Sequence, residues 1–426
     1  MRYGTIGETD TSAMTKRIDW TDHHEVPNRN CSTESNAPSA LASSRATNPL
    51  PPRLPSRTRV ESDPIIRKHM PELDSLRGVA ILMVVFLHGL YWSPQLGVLH
   101  GFVGLLNKVS RFGGRGVNLF FVLSGFLITG ILVDSRGKAN FYRDFYARRA
   151  RRILPVFYVT LFLLLCTPGQ SRTYLALSCF FLSNFAPLFG IAMTYTMFWT
   201  LAVEEHFYLL WPVAAKRLSN QALSWLAVVI AGGVVLLRAI FYKPVLLEGF
   251  GYYTWFVADG LSMGAFLALI VRRPGFTRDS LKKIALSSVA LWATVTVTGA
   301  PFGILFQNNR LGAALSLTLT NFFFFILLAT ALWIGSGQYK RWVNFSLLKF
   351  FGYISYGLYL IHWLVFDRFD ALVNAFRPGT FPATGQPGLI LIRFVSAGAI
   401  ATLVAYLSRR YLEDPIRKIR ISSAYR

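Results

Sequence analysis

Eleven long apolar segments, separated by short polar and basic stretches, occupy the chain between residues 78 and 408. A helix needs about 20 apolar residues to cross a bilayer, where every backbone polar group must be bonded within the segment. Only 15% of the residues are charged, against about 25% in soluble domains. The sequence therefore predicts an all-α, polytopic membrane protein. The apolar segments are residues 78–93, 117–134, 153–167, 174–191, 199–215, 222–241, 252–271, 284–300, 311–336, 350–366 and 388–408.

The basic residues between the segments predict the topology. Residues 135–152 carry seven Lys and Arg, residues 272–283 carry five, and the tail from Arg409 carries six. The positive-inside rule places all three in the cytoplasm. The same rule places the smaller cluster Lys216–Arg217 in the cytoplasm. Three apolar segments lie between the loop 135–152 and this cluster, and an odd number of membrane crossings cannot return the chain to the cytoplasmic side. Because segment 174–191 is broken by polar residues and a proline, we expect it to be re-entrant or interfacial. About ten transmembrane helices remain, with both termini cytoplasmic.

The net charge of +23 does not indicate a nucleic-acid partner. Residues 1–70 hold ten Lys and Arg and eight Asp and Glu, so the excess lies in the membrane part, where the topology requires it. The three cysteines show neither a disulfide framework nor zinc-ligand spacing. We therefore expect membrane lipids as partners and no bound metal.

The first 70 residues differ in kind from the rest. They are rich in Ser, Thr, Pro and Asn and lack hydrophobic periodicity, so they cannot bury enough apolar surface to order themselves. We expect residues 1–70 to be a disordered cytoplasmic tail, or an untranslated extension if translation starts at Met70. Residues 71–415 would form the membrane domain, and residues 416–426 a short basic cytoplasmic tail. A chain that begins at Met70 should then insert and function.

Arg77 and His88 lie eleven residues apart on the first apolar segment. In a helix, eleven residues rise about 16 Å and return the side chain to within about 20° of the same face. One face would therefore carry a cation at the membrane surface and an imidazole in the interior, which suits a ligand with an anionic head and a long arm. The alternative is an arginine that reaches the interface and a histidine bonded to a neighbouring helix.

A basic cluster, FYARRARRILPVFY, stands at a predicted cytoplasmic boundary. Arg148 and Arg152 are four residues apart on one helical face, with Arg149 and Arg151 beside them. Guanidinium groups in this arrangement can bind phosphate. Topology and contact with lipid headgroups explain the cluster equally well.

Two adjacent carboxylates, Glu204 and Glu205, interrupt the apolar segment FWTLAVEEHFYLLWP. Glu204 and Tyr208 are one helical turn apart and share a face. Ionisable groups at membrane depth are costly and usually functional, so Glu204 is a candidate catalytic residue and Tyr208 a candidate wall of the site. For the adjacent His206, a structural role is at least as good an explanation.

Three further motifs supply candidate site walls. Asp259 in FVADGLSMGAFLAL is an intramembrane carboxylate, and His362 in ISYGLYLIHW is an intramembrane imidazole that could equally be structural. Ser124 and Gly125 in NLFFVLSGFLITGIL could line the site, although small residues also allow helices to pack closely.

In their order along the chain, these motifs resemble the signature segments of the acyltransferase 3 membrane family. The resemblance covers about residues 71–415 and implies integral membrane enzymes, mostly bacterial, that move short acyl groups from cytoplasmic acyl-CoA to hydroxyls of carbohydrates. The six segments that carry it are LDSLRGVAILMVVFLHG, FFVLSGFLI, RRARRILPVFY, FWTLAVEEHFYLLWP, ADGLSMGAFLA and ISYGLYLIHW.

The resemblance also implies roles for single residues. His88 corresponds to a histidine regarded in the family as catalytic, while His206 stands where a glutamine is commoner and should therefore be dispensable. The other residues that match family motifs are Arg77 in the arginine–histidine pattern, Arg148, Arg149 and Arg152 in the basic cluster, Ser124 and Gly125 in the serine–glycine pair, and Glu204 and Tyr208 in the acidic motif.

These expectations combine into an O-acyltransferase of the bacterial inner membrane that acts on a glycan of the cell envelope. His88 would act as general base, since the ordinary pKa of histidine is about 6.5, or would itself carry the acyl group. Glu204 would orient its ring, the arginines would hold the CoA phosphates, and acetyl-CoA would be the donor, with no permanently bound cofactor. The alternative is a proton-coupled transporter that uses His88, Glu204, Asp259 and His362 as a relay.

Overall fold

The computed structural model describes residues 65–67, 69–90, 101–242, 251–381 and 386–419, and these ranges contain helices, turns and bends but no β-strand. The all-α prediction is confirmed for them. The helices are α1 (Pro71–Leu90), α2 (Gly101–Ser110), α3 (Gly116–Asp134), α4 (Phe141–Leu165), α5 (Arg172–Cys179), α6 (Met197–Arg217), α7 (Asn220–Ile240), α8 (Thr254–Val257), α9 (Asp259–Ile270), α10 (Arg278–Gly299), α11 (Arg310–Gly335), α12 (Ser346–Phe376), α13 (Pro387–Ser408) and α14 (Asp414–Lys418). Short 3-10 helices occupy Arg111–Arg115, Ser183–Phe189, Ala300–Phe302 and Lys340–Val343, and Arg409–Glu413 forms a π-helical turn.

Six helical stretches in the described residues are long and apolar enough to cross a membrane. Helices α4, α6 and α12 have 25, 21 and 31 residues and are long enough as well. They are not among the six candidate spans, and all three carry charged or titratable side chains. The number of about ten spans therefore stays a prediction. The six candidates are Pro71–Leu90, Gly104–Asp134, Asn220–Ile240, Arg278–Phe302, Arg310–Gly335 and Gly388–Lys418.

The segment that was expected not to span, 174–191, is divided between α5 and the 3-10 helix Ser183–Phe189, which contains Pro187. Helix α5 has eight residues, which at about 1.5 Å per residue is far too short to cross a bilayer. Its depth in the membrane stays a prediction. Segment 252–271 is also interrupted, and its longer part is the 12-residue helix α9.

Helices α1 and α12 pack together more extensively than any other pair of described helices. Gly78 permits this, because a Cβ atom there would lie 2.0 Å from the carbonyl oxygen of Leu348. Small residues at such crossings let two backbones approach closely. Further along the same two helices, His88 of α1 meets His362 of α12.

Helices α3 and α9 cross in the same way. A Cβ atom on Gly125 would lie 1.9 Å from the carbonyl oxygen of Leu261, and one on Gly264 would lie 1.9 Å from that of Val122. Gly125 therefore serves helix packing, the second of the two roles considered for it. The crossing fixes α3 so that its neighbour Ser124 faces α6, where it bonds Glu204.

Contacts of residues before Pro71 tie the start of the described chain to the helices. Ile65 is buried, and Arg67 pairs with the buried carboxylate of Glu72 and donates a 2.6 Å hydrogen bond to the carbonyl oxygen of Gly335. Residues 1–64 lie outside the described residues. The division of the chain into tail and membrane domain stays a proposal, and these contacts favour a boundary before Ile65 rather than after residue 70.

Candidate active site

A cavity of about 90 Å³ lies between α1, α3, α4, α6 and α12. Four of these helices contribute side chains that were candidates from the sequence, including Arg77 from α1, Ser124 from α3, Arg149 from α4 and Glu204 from α6, whereas α12 contributes residues that the sequence did not single out. The cavity is therefore the place where dispersed motifs meet.

Ser124, Glu204 and Tyr208 form a hydrogen-bonded cluster in the cavity wall. Ser124 donates from Oγ to Glu204 Oε1 at 2.7 Å, and Tyr208 donates from its hydroxyl to Glu204 Oε2 at 2.9 Å. The two hydroxyl oxygens lie 3.2 Å apart. One helical turn separates Glu204 from Tyr208, as predicted, and the carboxylate is held by a partner on each oxygen.

Arginines line the neighbouring part of the cavity. Arg77 is bonded to Asp74 at 3.1 Å on its own helix, and Arg149 stacks its guanidinium over the ring of Tyr208 at 5.1 Å. Arg152 lines the same cavity. The structure thus brings together three of the four arginines that the sequence indicated for anion binding, next to the carboxylate of Glu204.

The fourth arginine, Arg148, lines an adjacent pocket of about 260 Å³. This pocket shares Arg149 and Arg152 with the first cavity, so the two are neighbours. Its wall also includes Arg151 and Arg417. The sequence reasoning missed Arg417, whose only signal was its position in the basic C-terminal tail.

His88 on α1 faces His362 on α12. The Nδ1 atom of His88 lies 3.0 Å from Nε2 of His362, and the ring of Trp363 meets the His88 ring edge-on at 5.0 Å. His362 is fully buried, and its Nδ1 lies 3.0 Å from the carbonyl oxygen of Leu358 and 2.9 Å from that of Tyr359. Carbonyl oxygens only accept hydrogen bonds, so Nδ1 of His362 carries a proton.

This proton assignment determines the state of His88. With Nδ1 protonated, the uncharged ring of His362 has an acceptor at Nε2. His88 must then donate from Nδ1, and its Nε2 is left with a lone pair. The sequence indicated each histidine separately but gave no sign of the pairing, because 274 residues separate them. The hydrogen bond to His362 also agrees with the alternative given for His88, a histidine bonded to a neighbouring helix.

Tyr359 lies between the cavity and the histidine pair. Its hydroxyl is 2.7 Å from Thr200 Oγ1, which itself donates to the carbonyl oxygen of Met197 at 3.1 Å, so Tyr359 is the donor to Thr200. The ring of Tyr359 lines the cavity and stands 6.1 Å from the ring of His362. His88 is not among the lining residues of the cavity. Both oxygens of Glu204 and the Nδ1 of His88 have other partners, so Glu204 does not orient His88 as expected.

Asp259 lies away from the cavity. Its two carboxylate oxygens meet Arg238 at 2.9 and 3.2 Å, and Thr318 donates to one of them at 2.7 Å. Arg238 and Asp259 are both almost fully buried, so the ion pair joins α7, α9 and α11 rather than lining the site. His206 lies elsewhere too, with Nδ1 2.7 Å from Thr254 Oγ1 and its ring stacked on Phe185 at 5.3 Å.

Helices long and apolar enough to span a membrane thus surround a cavity lined by a hydrogen-bonded carboxyl group and by arginines, as in an integral membrane protein with an internal site. The chain belongs to the acyltransferase 3 family, whose profile, described as an acyltransferase domain, matches residues 70–410. The resemblance carried by the six motifs is confirmed, as is the expectation of an enzyme of the acyltransferase class. Nothing in these findings supports the transporter alternative.

Curated relatives agree with the family. The chain is 27% identical to the peptidoglycan O-acetyltransferase OatA of Listeria monocytogenes, over 83% of this chain and 56% of that protein. It is also 27% identical to the putative peptidoglycan O-acetyltransferase YrhL of Bacillus subtilis, over 82% of this chain and 55% of the relative. The chain thus spans a little over half the length of these relatives. No solved structure matches it.

Proposed function

We propose that this chain transfers an acetyl or other short acyl group from cytoplasmic acyl-CoA to a hydroxyl group of a cell-envelope glycan. The observation that carries the proposal is the hydrogen-bond chain from Nδ1 of His88 through His362 to the Leu358 and Tyr359 carbonyls, from which we infer a lone pair on Nε2 of His88. A general base needs such an uncharged acceptor atom. Family membership supplies the reaction class.

In the proposed transfer, each bond that forms is matched by a bond that breaks. Nε2 of His88 accepts the proton of the acceptor hydroxyl while the hydroxyl oxygen attacks the thioester carbonyl. The C–S bond then breaks, and the protonated His88 returns its proton to the departing thiolate of CoA. While His88 is charged, His362 accepts from its Nδ1 and donates onward to the Leu358 and Tyr359 carbonyls, so the charge is stabilised without water.

The donor would enter from the arginine-lined side. Guanidinium groups bind phosphate oxygens through paired hydrogen bonds, and Arg77, Arg149 and Arg152 lie together at the cavity. The pantetheine arm of the donor would follow the cavity toward Tyr359 and the histidine pair. We propose that Glu204 fixes Ser124 and Tyr208 in this wall and balances the charge of the arginines, and that it does not take part in the proton transfer.

The acceptor is proposed from the relatives, whose names state that they act on peptidoglycan. A peptidoglycan-type amino-sugar chain lies on the outer side of a bacterial inner membrane. A protein there with cytoplasmic termini would meet acyl-CoA on one side and the glycan on the other. The positive-inside distribution of basic loops supports this orientation.

The test uses the full chain in lipid nanodiscs with acetyl-CoA labelled in its acetyl group and short peptidoglycan glycan fragments as acceptors. We expect label in the glycan with the wild-type protein and a loss of about 100-fold or more for His88→Ala, the usual contribution of a general base. His206→Gln is the matched control and should retain activity, because His206 lies outside the cavity and a glutamine is commoner there in the family. Equal turnover in His88→Ala and wild type would refute the proposed role.

A further inference from the structure

The second pocket, of about 260 Å³, is unusual in its charge. Its wall contains Arg148, Arg149, Arg151, Arg152 and Arg417, and the remaining lining residues are apolar. No carboxylate is among the described residues that line it. The positive charges collected there repel one another, and an anion bound between them would offset this repulsion. The pocket therefore has the character of a site for a multiply charged anion.

Arg417 reaches this pocket because the segment Arg409–Ile419, which we name the C-terminal clasp, continues α13 and packs against α4 and α12. Arg409 pairs with Glu413 at 2.6 Å and with Asp414 at 3.2 Å, and its guanidinium lies over the ring of Tyr353 at 4.5 Å. Tyr353 in turn donates a hydrogen bond to Asp414. These contacts anchor the clasp to α12.

A second set of contacts anchors the clasp to α4. Arg151 donates from Nε to the carbonyl oxygen of Ala147 at 3.0 Å and from Nη1 to that of Ile419. Arg151 therefore ties the end of the clasp to the basic cluster, while Arg417 remains at the pocket with only a 3.7 Å contact to Asp414. The side chain of Arg417 is 39% exposed, which leaves it accessible to a ligand.

We propose that Arg417 and the C-terminal clasp complete the binding site for the phosphate groups of the acyl donor. The inference rests on the proposed function and adds a residue and a segment to it. A ligand that bears several phosphates at one end and a long arm at the other matches the two adjacent pockets, which share Arg149 and Arg152. The larger, arginine-walled pocket takes the phosphates, and the smaller cavity beyond Arg149 and Arg152 takes the arm.

Binding of CoA is the direct test, because it needs no acceptor. Isothermal titration of the full chain in nanodiscs of neutral lipid gives the Kd for CoA and for pantetheine, which has the same arm but no phosphate. For Arg417→Ala we expect a roughly 10-fold weaker Kd for CoA, the loss of one charge-assisted contact, and an unchanged Kd for pantetheine. Arg410→Ala is the matched control, since Arg410 is an exposed arginine of the clasp that does not line the pocket.

The possible outcomes are distinct. If Arg417→Ala binds CoA as tightly as Arg410→Ala does, or weakens CoA and pantetheine equally, the inference is wrong. If the effect of Arg417→Ala appears only in nanodiscs that contain anionic lipid, the phosphate in the pocket belongs to a lipid headgroup and the donor assignment is overturned. Arg417→Lys keeps the positive charge, so its Kd for CoA should lie between those of the wild type and Arg417→Ala. This variant controls for misfolding of the alanine variant. Tight CoA binding without acyl transfer would contradict the proposed function, whereas the inference that the clasp binds the donor phosphates would still hold.

Discussion

Replacement of His362 by leucine tests whether the histidine pair acts as a catalytic unit. The 3.0 Å hydrogen bond between His362 Nε2 and His88 Nδ1 is lost in this variant. When His88 becomes charged in the transition state, this hydrogen bond is charge-assisted and worth about 1.5 to 3 kcal/mol. That range corresponds to a fall of roughly 10- to 150-fold in kcat. The KM for the donor should not change, since His362 does not line the arginine end of the cavity.

The assay measures initial rates of acyl transfer over a range of acetyl-CoA concentrations for wild type, His362→Leu and His362→Gln. Glutamine is the informative control, because its amide oxygen can accept a hydrogen bond from His88 while leucine cannot. Partial recovery in the glutamine variant is therefore expected. Wild-type kcat in His362→Leu, or a loss confined to the KM for the donor, would refute the pairing as a source of catalysis.

Three further perturbations separate the donor site, the scaffold and the N-terminal boundary. Arg77→Ala should raise the KM for acetyl-CoA several-fold and change kcat little, because phosphates remote from the reacting carbon make uniform contacts; a loss in kcat alone would contradict the phosphate role. Asp259→Asn should destabilise the protein by about 3–5 kcal/mol by leaving a buried arginine unpaired, measured as a lower Tm in detergent, while the folded fraction keeps its kcat. Deletion of residues 1–64 should leave Tm and activity unchanged, whereas deletion of residues 1–69 should lower Tm because it removes the buried Ile65; equal Tm values for the two truncations would refute the boundary before Ile65.

Much of the site was predictable because its parts are local in sequence. Glu204 and Tyr208 meet because four residues make about one turn of a helix, and the structure adds Ser124 as the partner across α3. The arginines of α4 follow the same helical spacing. The interruption in segment 174–191 was readable from its polar residues and from Pro187, and the structure divides that segment into two short helices.

Contacts between distant helices could not be read in the same way. Asp259 was expected near the site because intramembrane carboxylates are usually functional, yet Arg238 neutralises it in another part of the bundle. The sequence indicates Arg417 only as part of a basic tail, whereas in the structure it lines the arginine-walled pocket. In both cases the partner lies on a different helix, and helical periodicity carries no information about which helices become neighbours.

The sequence by itself determined, through its composition, that this chain forms apolar helices with basic connections. Its motifs identified a membrane acyltransferase family, and the helical period of about 3.6 residues determined which side chains share a face. Only the tertiary structure decided what each face meets. The close crossing of α1 and α12 at Gly78 sets His88 against His362 and so fixes the proton on one ring nitrogen and the lone pair on the other. That outcome depends on the register between two helices, which backbone contact sets and which no local pattern encodes.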